Sequence, residues 1–367
     1  MKVILIDDDA LLLKALSRAI LHIDFECELK AVNNPLEFAA CVEELGEPDI
    51  IFSDLVMPEC SGLEVLEQAR IICPTALRCL LSGEVATDFS MQVDNLAHFY
   101  LAKPFTKAQL VDVINASKLL PLLGLTLEER SELGQLTKLP VLPETLIDTL
   151  RLLRLSPPLL EQAADLISLN PPLAAKLIQI SNSAMLGFAS PVHSVQQAVF
   201  RLGSEFTEAI LTCFEIEKIG NQRISPKQLF EINNKAMKKA QLAKSLGPVL
   251  DLEKQDIEDL QVVCLLGAIG EICILQLSEH SFNWQMKEAT TLSAYLLTLW
   301  GFPGDIVLGE LICQSATLGA KKLTLAHAVL EDAIASQDPK WKASVQKILF
   351  EKELYDKAID WRKRVSK

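Results

Sequence analysis

The 367-residue chain has no CxxC pair and no cluster of Cys and His at zinc-binding spacing. Its nine cysteines are scattered, and an odd number in a chain this long does not form a disulfide framework. They read as small core residues of a reducing cytoplasm. Positive charge is in deficit, with 35 Lys and Arg against 48 Asp and Glu and a net charge of -13. Such a surface lacks the basic surplus that supplies non-specific affinity for nucleic acids and anionic membranes, which excludes both as expected partners and favours proteins. Long apolar runs are missing too. The longest, near Val262–Gly270, falls far short of the ~18 residues of a membrane span. The strand-like Val3–Ile6 leads directly into three aspartates, unlike a signal or transit peptide, so a cytoplasmic protein is expected.

What is present implies at least two well-buried domains, since half of the residues are hydrophobic in a chain longer than one typical core. Over 1–118, short apolar runs at Val3–Ile6, Leu29–Val32, Ile50–Ser53, Leu77–Leu81 and Phe99–Ala102 alternate with amphipathic stretches. Five βα units follow, and with them a parallel sheet whose ligands bind beyond the carboxyl ends of the strands. The Pro- and Gly-broken stretch Leu119–Gly124 opens a linker over 119–134, and the spacing of Thr126 and Glu129 predicts a capping box there. Beyond it, apolar residues recur at helical spacing, as in Leu146, Leu150 and Leu153, so 135–330 is expected to be all-helical, with a helical tail over 331–367.

Acidic and polar residues collect where the strands end: Asp7, Asp8 and Asp9 after the first, Asp54 at the third, Ser82 at the fourth, Lys103 and Pro104 after the fifth. In strand order 2-1-3-4-5 the first and third strands are neighbours, so Asp7, Asp8 and Asp54 are expected to converge. Three carboxylates together call for a cation, and an all-oxygen ligand set suits Mg²⁺. A carboxylate beside Mg²⁺ can attack a phosphoryl group, which makes Asp54 the candidate nucleophile, Lys103 the charge-neutralising ammonium and Ser82 the hydroxyl for the product. Asp9 has a plainer alternative as the N-cap of the following helix.

These motifs, Ile6-Asp7-Asp8-Asp9, Ser53-Asp54-Leu55-Val56-Met57-Pro58 with Gly62, Leu81-Ser82-Gly83-Glu84 and Tyr100-Leu101-Ala102-Lys103-Pro104-Phe105, resemble those of response-regulator receiver domains. The resemblance implies a flavodoxin-like fold with a five-stranded parallel sheet. It also implies phosphotransfer from a sensor histidine kinase, a phosphotransfer protein or a small phosphodonor. Mg²⁺ would be held by Asp8, Asp54 and the backbone carbonyl of Val56, with Asp7 assisting through water. Tyr100 would be the aromatic switch that responds as Ser82 moves toward the phosphoryl group, and the Lys103–Pro104 bond would be cis. Val56 and Glu84 would border the water that attacks the phosphoryl group. Val56 offers that water no hydrogen bond, which implies slow autodephosphorylation, an effect that Glu84 would oppose by orienting the water.

In the second half, Leu139-Pro140-Val141-Leu142-Pro143 precedes a helix, and Ile180-Ser181-Asn182-Ser183-Ala184 is followed by Gly187, Pro191, Ser194, Ala198, Val199, Leu202 and Gly203. Taken alone this is tight helix packing. The pattern also resembles HDOD domains, helical relatives of the HD metal-dependent phosphohydrolases, from about Gln135 to Ala316. HD-type hydrolysis needs an adjacent His-Asp pair among its metal ligands. At the corresponding place this chain has Gly267 and Ala268, with Asn233, Asn234 and Lys235 upstream and Ile312-Cys313-Gln314 downstream. His193, His280 and His327 have no acidic neighbour in sequence suited to this role. A non-catalytic HDOD output domain acting on an unidentified protein target is therefore expected. A nucleotide or cyclic-dinucleotide phosphohydrolase and a transcriptional regulator stand as alternatives. The latter lacks a recognisable helix-turn-helix with a basic face. Lys235, Lys238 and Lys239 read as a solvated helix face. The tail's stripe of Trp341, Val345, Ile348, Tyr355 and Ile359 is suited to packing on its own core or, in a homodimer, on a second copy.

Overall fold

The computed structural model describes residues 1–83, 96–134, 148–149, 152–153, 155, 157–182, 190–216, 224–277, 289–299, 304, 307, 322–335 and 343–365. Two compact units divide the chain, one of Met1–Lys138 with the short segments Asn182–Pro191 and Thr298–Gly301, the other of Leu139–Ser181, Val192–Leu297 and Phe302–Lys367.

In the first unit, strands β1 (Lys2–Ile6), β2 (Glu28–Val32), β3 (Ile50–Asp54), β4 (Leu77–Ser82) and β5 (Phe99–Ala102) form one parallel sheet of order β2-β1-β3-β4-β5. Helices α1 (Ala10–Ile23), α2 (Phe38–Leu45), α3 (Gly62–Ile72) and α4 (Lys107–Leu119) connect and follow the strands. This is the parallel sheet that the alternating pattern predicts, with the flavodoxin-like form that the receiver resemblance implies. Its inner strands are continuous apolar runs because helices cover a parallel sheet on both faces. Ile4, Leu5, Ile50, Ile51, Phe52 and Leu80 are fully buried, each contributing about 1.5–3 kcal/mol by leaving water. The register pairs Ile6 with Ser53 and Asp54 with Leu81, so the strand ends that carry polar residues lie along one edge.

The stretch 119–134, expected as a linker, is itself ordered and belongs to the first unit. A tight turn over Leu120–Leu123 ends at Gly124 (φ 73°), and helix α5 (Leu127–Gly134) follows. The capping box forms as its spacing predicts: Thr126 N–H donates to Glu129 Oε2 at 2.9 Å and Glu129 N–H to Thr126 Oγ1 at 3.2 Å. Leu120, Leu123 and Leu133 are buried, which ties the segment down.

Every regular element assigned in the second unit is helical: α6 (Leu160–Ser168), α7 (Pro171–Ser181), α8 (Val195–Ile216), α9 (Pro226–Leu246), α10 (Lys254–Leu266), α11 (Ala268–Leu277), α12 (Ala289–Leu299), α13 (Lys322–Ala335), α14 (Ala343–Glu351) and α15 (Tyr355–Val365). Gly203 adopts φ 77° inside α8 and breaks it, a left-handed conformation open to a residue without Cβ. The tail packs on its own unit. Trp361 is buried and its indole N–H donates to Ser245 Oγ at 2.9 Å, while buried Arg362 donates to the Asp332 carbonyl at 3.2 Å. Among the described residues no helix is long and apolar enough to cross a membrane.

Candidate functional site

The site lies where β1, β3, β4 and β5 end. Asp7 follows β1 and is 2% exposed, Asp54 closes β3 at 7%, and Ser82 closes β4 at 3%. Lys103 follows β5, and its backbone N–H donates to the Ser82 carbonyl at 2.7 Å, which fixes the loop against β4. The Lys103–Pro104 peptide is cis. From there the Lys103 ammonium donates to Asp54 Oδ1 at 2.5 Å and to Asp7 Oδ2 at 2.7 Å. Burial pulls the ammonium's pKa down, but the hydrogen bonds and charges of Asp54 and Asp7 outweigh it and hold Lys103 above its ordinary value.

The rest of Asp54 is held by the backbone. Its Oδ2 accepts from the Val56 N–H at 3.0 Å. The turn after β3 is tight because Gly62 N–H donates to the Leu55 carbonyl at 3.0 Å, and a Cβ at Gly62 would lie 1.9 Å from the Asp54 carbonyl oxygen. The spacing from Asp54 to Gly62 is visible in the sequence, but the reason only glycine fits there is not. Val56, whose N–H holds Asp54, is 70% exposed.

Asp9 takes the capping alternative. Its carboxylate accepts from the Leu11 and Leu12 N–H groups at 2.8 and 3.3 Å, and its own N–H donates to Asp7 Oδ1 at 2.9 Å. The expected convergence of three carboxylates is met by two: Asp7 and Asp54 share Lys103, while Asp8 is exposed beside them. Among the described residues no three His, Cys, Asp or Glu side chains gather as metal ligands. The donor set suits Mg²⁺ all the same, because this ion keeps several waters and takes one or two carboxylates together with phosphate oxygens. Asp54, Asp8 and the Val56 carbonyl are oxygen donors of that kind. Tyr100 lies in β5, but its side chain is outside the described residues, as is all of Glu84.

The model of the response regulator receiver domain matches residues 3–115, and that of the HDOD domain matches 139–291. The chain carries a receiver domain followed by an HDOD domain. Receiver domains serve two-component phosphorelays, which implies a histidine kinase or phosphotransfer partner. Solved structures similar to the chain include a response regulator receiver domain protein from Clostridium thermocellum, 24% identical over 32% of this chain and 92% of that one (TM-score 0.29). The signal receiver domain of an HD domain-containing protein from Pseudomonas fluorescens is 20% identical over 32% and 93% (TM-score 0.29). The MmoQ response regulator from Methylococcus capsulatus is 17% identical over 57% and 90% (TM-score 0.44). No curated protein sequence matches the chain.

In the HDOD domain, Gly267 and Ala268 sit at the junction of α10 and α11. The buried Ser293 hydroxyl of α12 donates to the Gly267 carbonyl and accepts from the Gly270 N–H, both at 2.9 Å. A Cβ at Gly270 would lie 1.8 Å from the Ala289 carbonyl oxygen, so backbone packs directly on backbone here. Of the three α9 lysines that read as a solvated face, Lys235 and Lys238 are exposed and Lys239 departs from that reading. Lys238 is exposed, but Lys239 is buried against Glu331 of α13, and Lys235 pairs with Glu271 of α11 at 2.6 Å. Residues 235 and 239 are one turn apart, but the packing that buries 239 leaves 235 exposed. His327, fully buried, approaches Glu331 with Nε2 at 3.5 Å, and His193 Nδ1 lies 3.5 Å from Asp259. Neither pairing is visible from the residues adjacent to these histidines in sequence. Asn234 is exposed, the side chain of Asn233 is outside the described residues, and so are His280 and Ile312-Cys313-Gln314.

Proposed function

We propose that the protein is a cytoplasmic two-component response regulator in which phosphorylation of Asp54 controls a non-catalytic HDOD domain acting on another protein. The observation that carries this reading is the single Lys103 ammonium shared by Asp54 and Asp7 at the carboxyl edge of the sheet, beside the buried end of β4 at Ser82. Asp54 attacks the phosphorus of the donor with one carboxylate oxygen, the donor's leaving group departs, and an aspartyl phosphate forms. Lys103 pairs with the new phosphoryl oxygens, and the Ser82 hydroxyl donates to one of them. Mg²⁺, when bound, neutralises charge on the transferred group. Asp8, Asp54 and the Val56 carbonyl would hold it, with Asp7 assisting through water. Tyr100 is the residue we assign to the switch. Incubation with acetyl phosphate and Mg²⁺ followed by mass spectrometry tests the reading. One phosphoryl mass that chelation of the metal prevents is expected; no uptake from acetyl phosphate or any kinase overturns it.

The non-catalytic output is supported by glycine and alanine standing where ligands would be required and by the backbone packing around Gly270. With Mg²⁺ or Mn²⁺, the full chain is expected to hydrolyse no nucleotide or cyclic dinucleotide. Metal-dependent turnover abolished by substitutions within 139–291 would count against this.

The aspartyl phosphate is expected to be long-lived. Exposed Val56 borders the acceptor and gives an attacking water no hydrogen bond, so the phosphoryl group should persist for minutes or longer in phosphatase-free protein. Decay within seconds, followed by intact-mass measurement, would refute this.

A further inference from the structure

Arg78, the second residue of β4, is 2% exposed, an unusual place for a guanidinium. Its hydrogen bonds join three parts of the receiver unit. The side-chain Nε donates to the Leu96 carbonyl at 2.6 Å, and Nη2 lies 2.9 Å from His98 Nε2 and donates to the Gly134 carbonyl at 3.2 Å. The backbone makes the link to His98: the Arg78 N–H donates to the ring Nδ1 at 3.1 Å, which leaves the ring proton on Nε2 and makes the Nη2 approach a packing contact, and the His98 N–H donates to the Arg78 carbonyl at 2.7 Å. His98 immediately precedes β5, and Gly134 is the last residue of α5, the helix that leads in the chain toward the HDOD domain. Gly134 is seated closely, since a Cβ there would lie 2.1 Å from the Pro74 carbonyl oxygen in the turn before β4.

The geometry points to Arg78 as a positioning residue that couples the phosphoacceptor end of β4 and β5 to helix α5. Ser82 stands four residues further along the same strand, and the Ser82 carbonyl binds the Lys103 N–H beyond β5. A shift of β5 against β4 when Asp54 gains its phosphoryl group must strain the clasp between Arg78 and His98. The planar guanidinium passes that strain to Gly134, because one rigid fork holds the Leu96 carbonyl, two residues before His98, together with the Gly134 carbonyl. The inference rests on Asp54 phosphorylation, so the experiment reads both.

Full-length wild type, Arg78→Met and Gly134→Ala are treated with acetyl phosphate and Mg²⁺, scored for phosphoryl mass, and followed by amide exchange over residues 127–134. In wild type, phosphorylation should change exchange in α5 by ~tenfold, the size expected of a local opening equilibrium shifted by one lost contact. Both variants should gain the phosphoryl mass but show the same α5 exchange with and without it, a difference that a purely structural role would leave intact. If Arg78→Met does not fold, Gly134→Ala decides, since it displaces α5 and leaves the Leu96 and His98 contacts in place. A phosphorylated wild type with unchanged α5 exchange, or variants that keep the full response, overturns the coupling. A wild type that takes no phosphoryl group overturns the receiver reading and the coupling with it.

Discussion

Asp54→Asn should lose phosphorylation completely, whereas Asp9→Ala should retain it. Asp54 closes β3 with an ammonium on one oxygen and a backbone N–H on the other; Asp7 has the same two contacts, but its side chain is 3% exposed against 11% for Asp54, which leaves Asp54 the more open to a donor. The amide that replaces the carboxylate keeps a similar shape but is no nucleophile at phosphorus. Asp9 is the nearest competitor in sequence, and its carboxylate is spent on the first turn of α1. Its removal costs a cap, about 1 kcal/mol, and leaves the acceptor in place. Asp8→Ala should slow transfer through weaker Mg²⁺ binding without removing the acceptor. Mass spectrometry of the variants after incubation with acetyl phosphate and Mg²⁺ gives the answer. Phosphoryl mass on the Asp54→Asn protein, or its loss from the Asp9→Ala protein, would refute the assignment.

Glu331→Gln should lower the stability of the second unit by about 2–3 kcal/mol at pH 7, because it removes one charge of a buried pair and leaves Lys239 buried. The loss sits at or below the low end for buried pairs because the Glu331 side chain is 24% exposed. Burial pushes the Glu331 carboxyl up, but the nearby His327 ring and the charge and hydrogen bond of Lys239 prevail and hold it well below its ordinary value of 4.5. A depressed native pKa stabilises the fold above the unfolded value, and that contribution disappears as pH falls through the native one. The gap between wild type and variant should therefore be full at pH 7 and narrow below about pH 4.5. Urea unfolding midpoints at pH 7 and pH 3.5 measure both effects. Equal midpoints at pH 7, or a gap that widens in acid, would contradict the pairing.

The receiver site was largely legible because its residues sit at strand ends, where local pattern and chain order bring them together. Val3–Ile6 and Ile50–Ser53 announce buried parallel strands through unbroken apolar runs, so Asp7 and Asp54 follow as neighbours once the strand order is known. Asp9 and the Thr126–Glu129 box were legible for a similar reason, since capping acts over three residues. The helical half was harder to read. Lys239 looks like a solvated charge until α13 supplies Glu331, 92 residues away.

The sequence by itself determined the alternation of strands and helices, the polar residues at the strand ends and the lack of a His-Asp pair, because these depend on local spacing and residue type. Only the tertiary structure decided that Asp7 and Asp54 share Lys103 while Asp8 stands exposed, that Lys239 and Arg362 are buried with acidic partners, and that Arg78 reaches Gly134 across 56 residues. Each of these depends on which faces meet when separate elements pack. A buried charge is admitted only where that packing delivers its partner, and neither periodicity nor composition encodes which distant partner that will be.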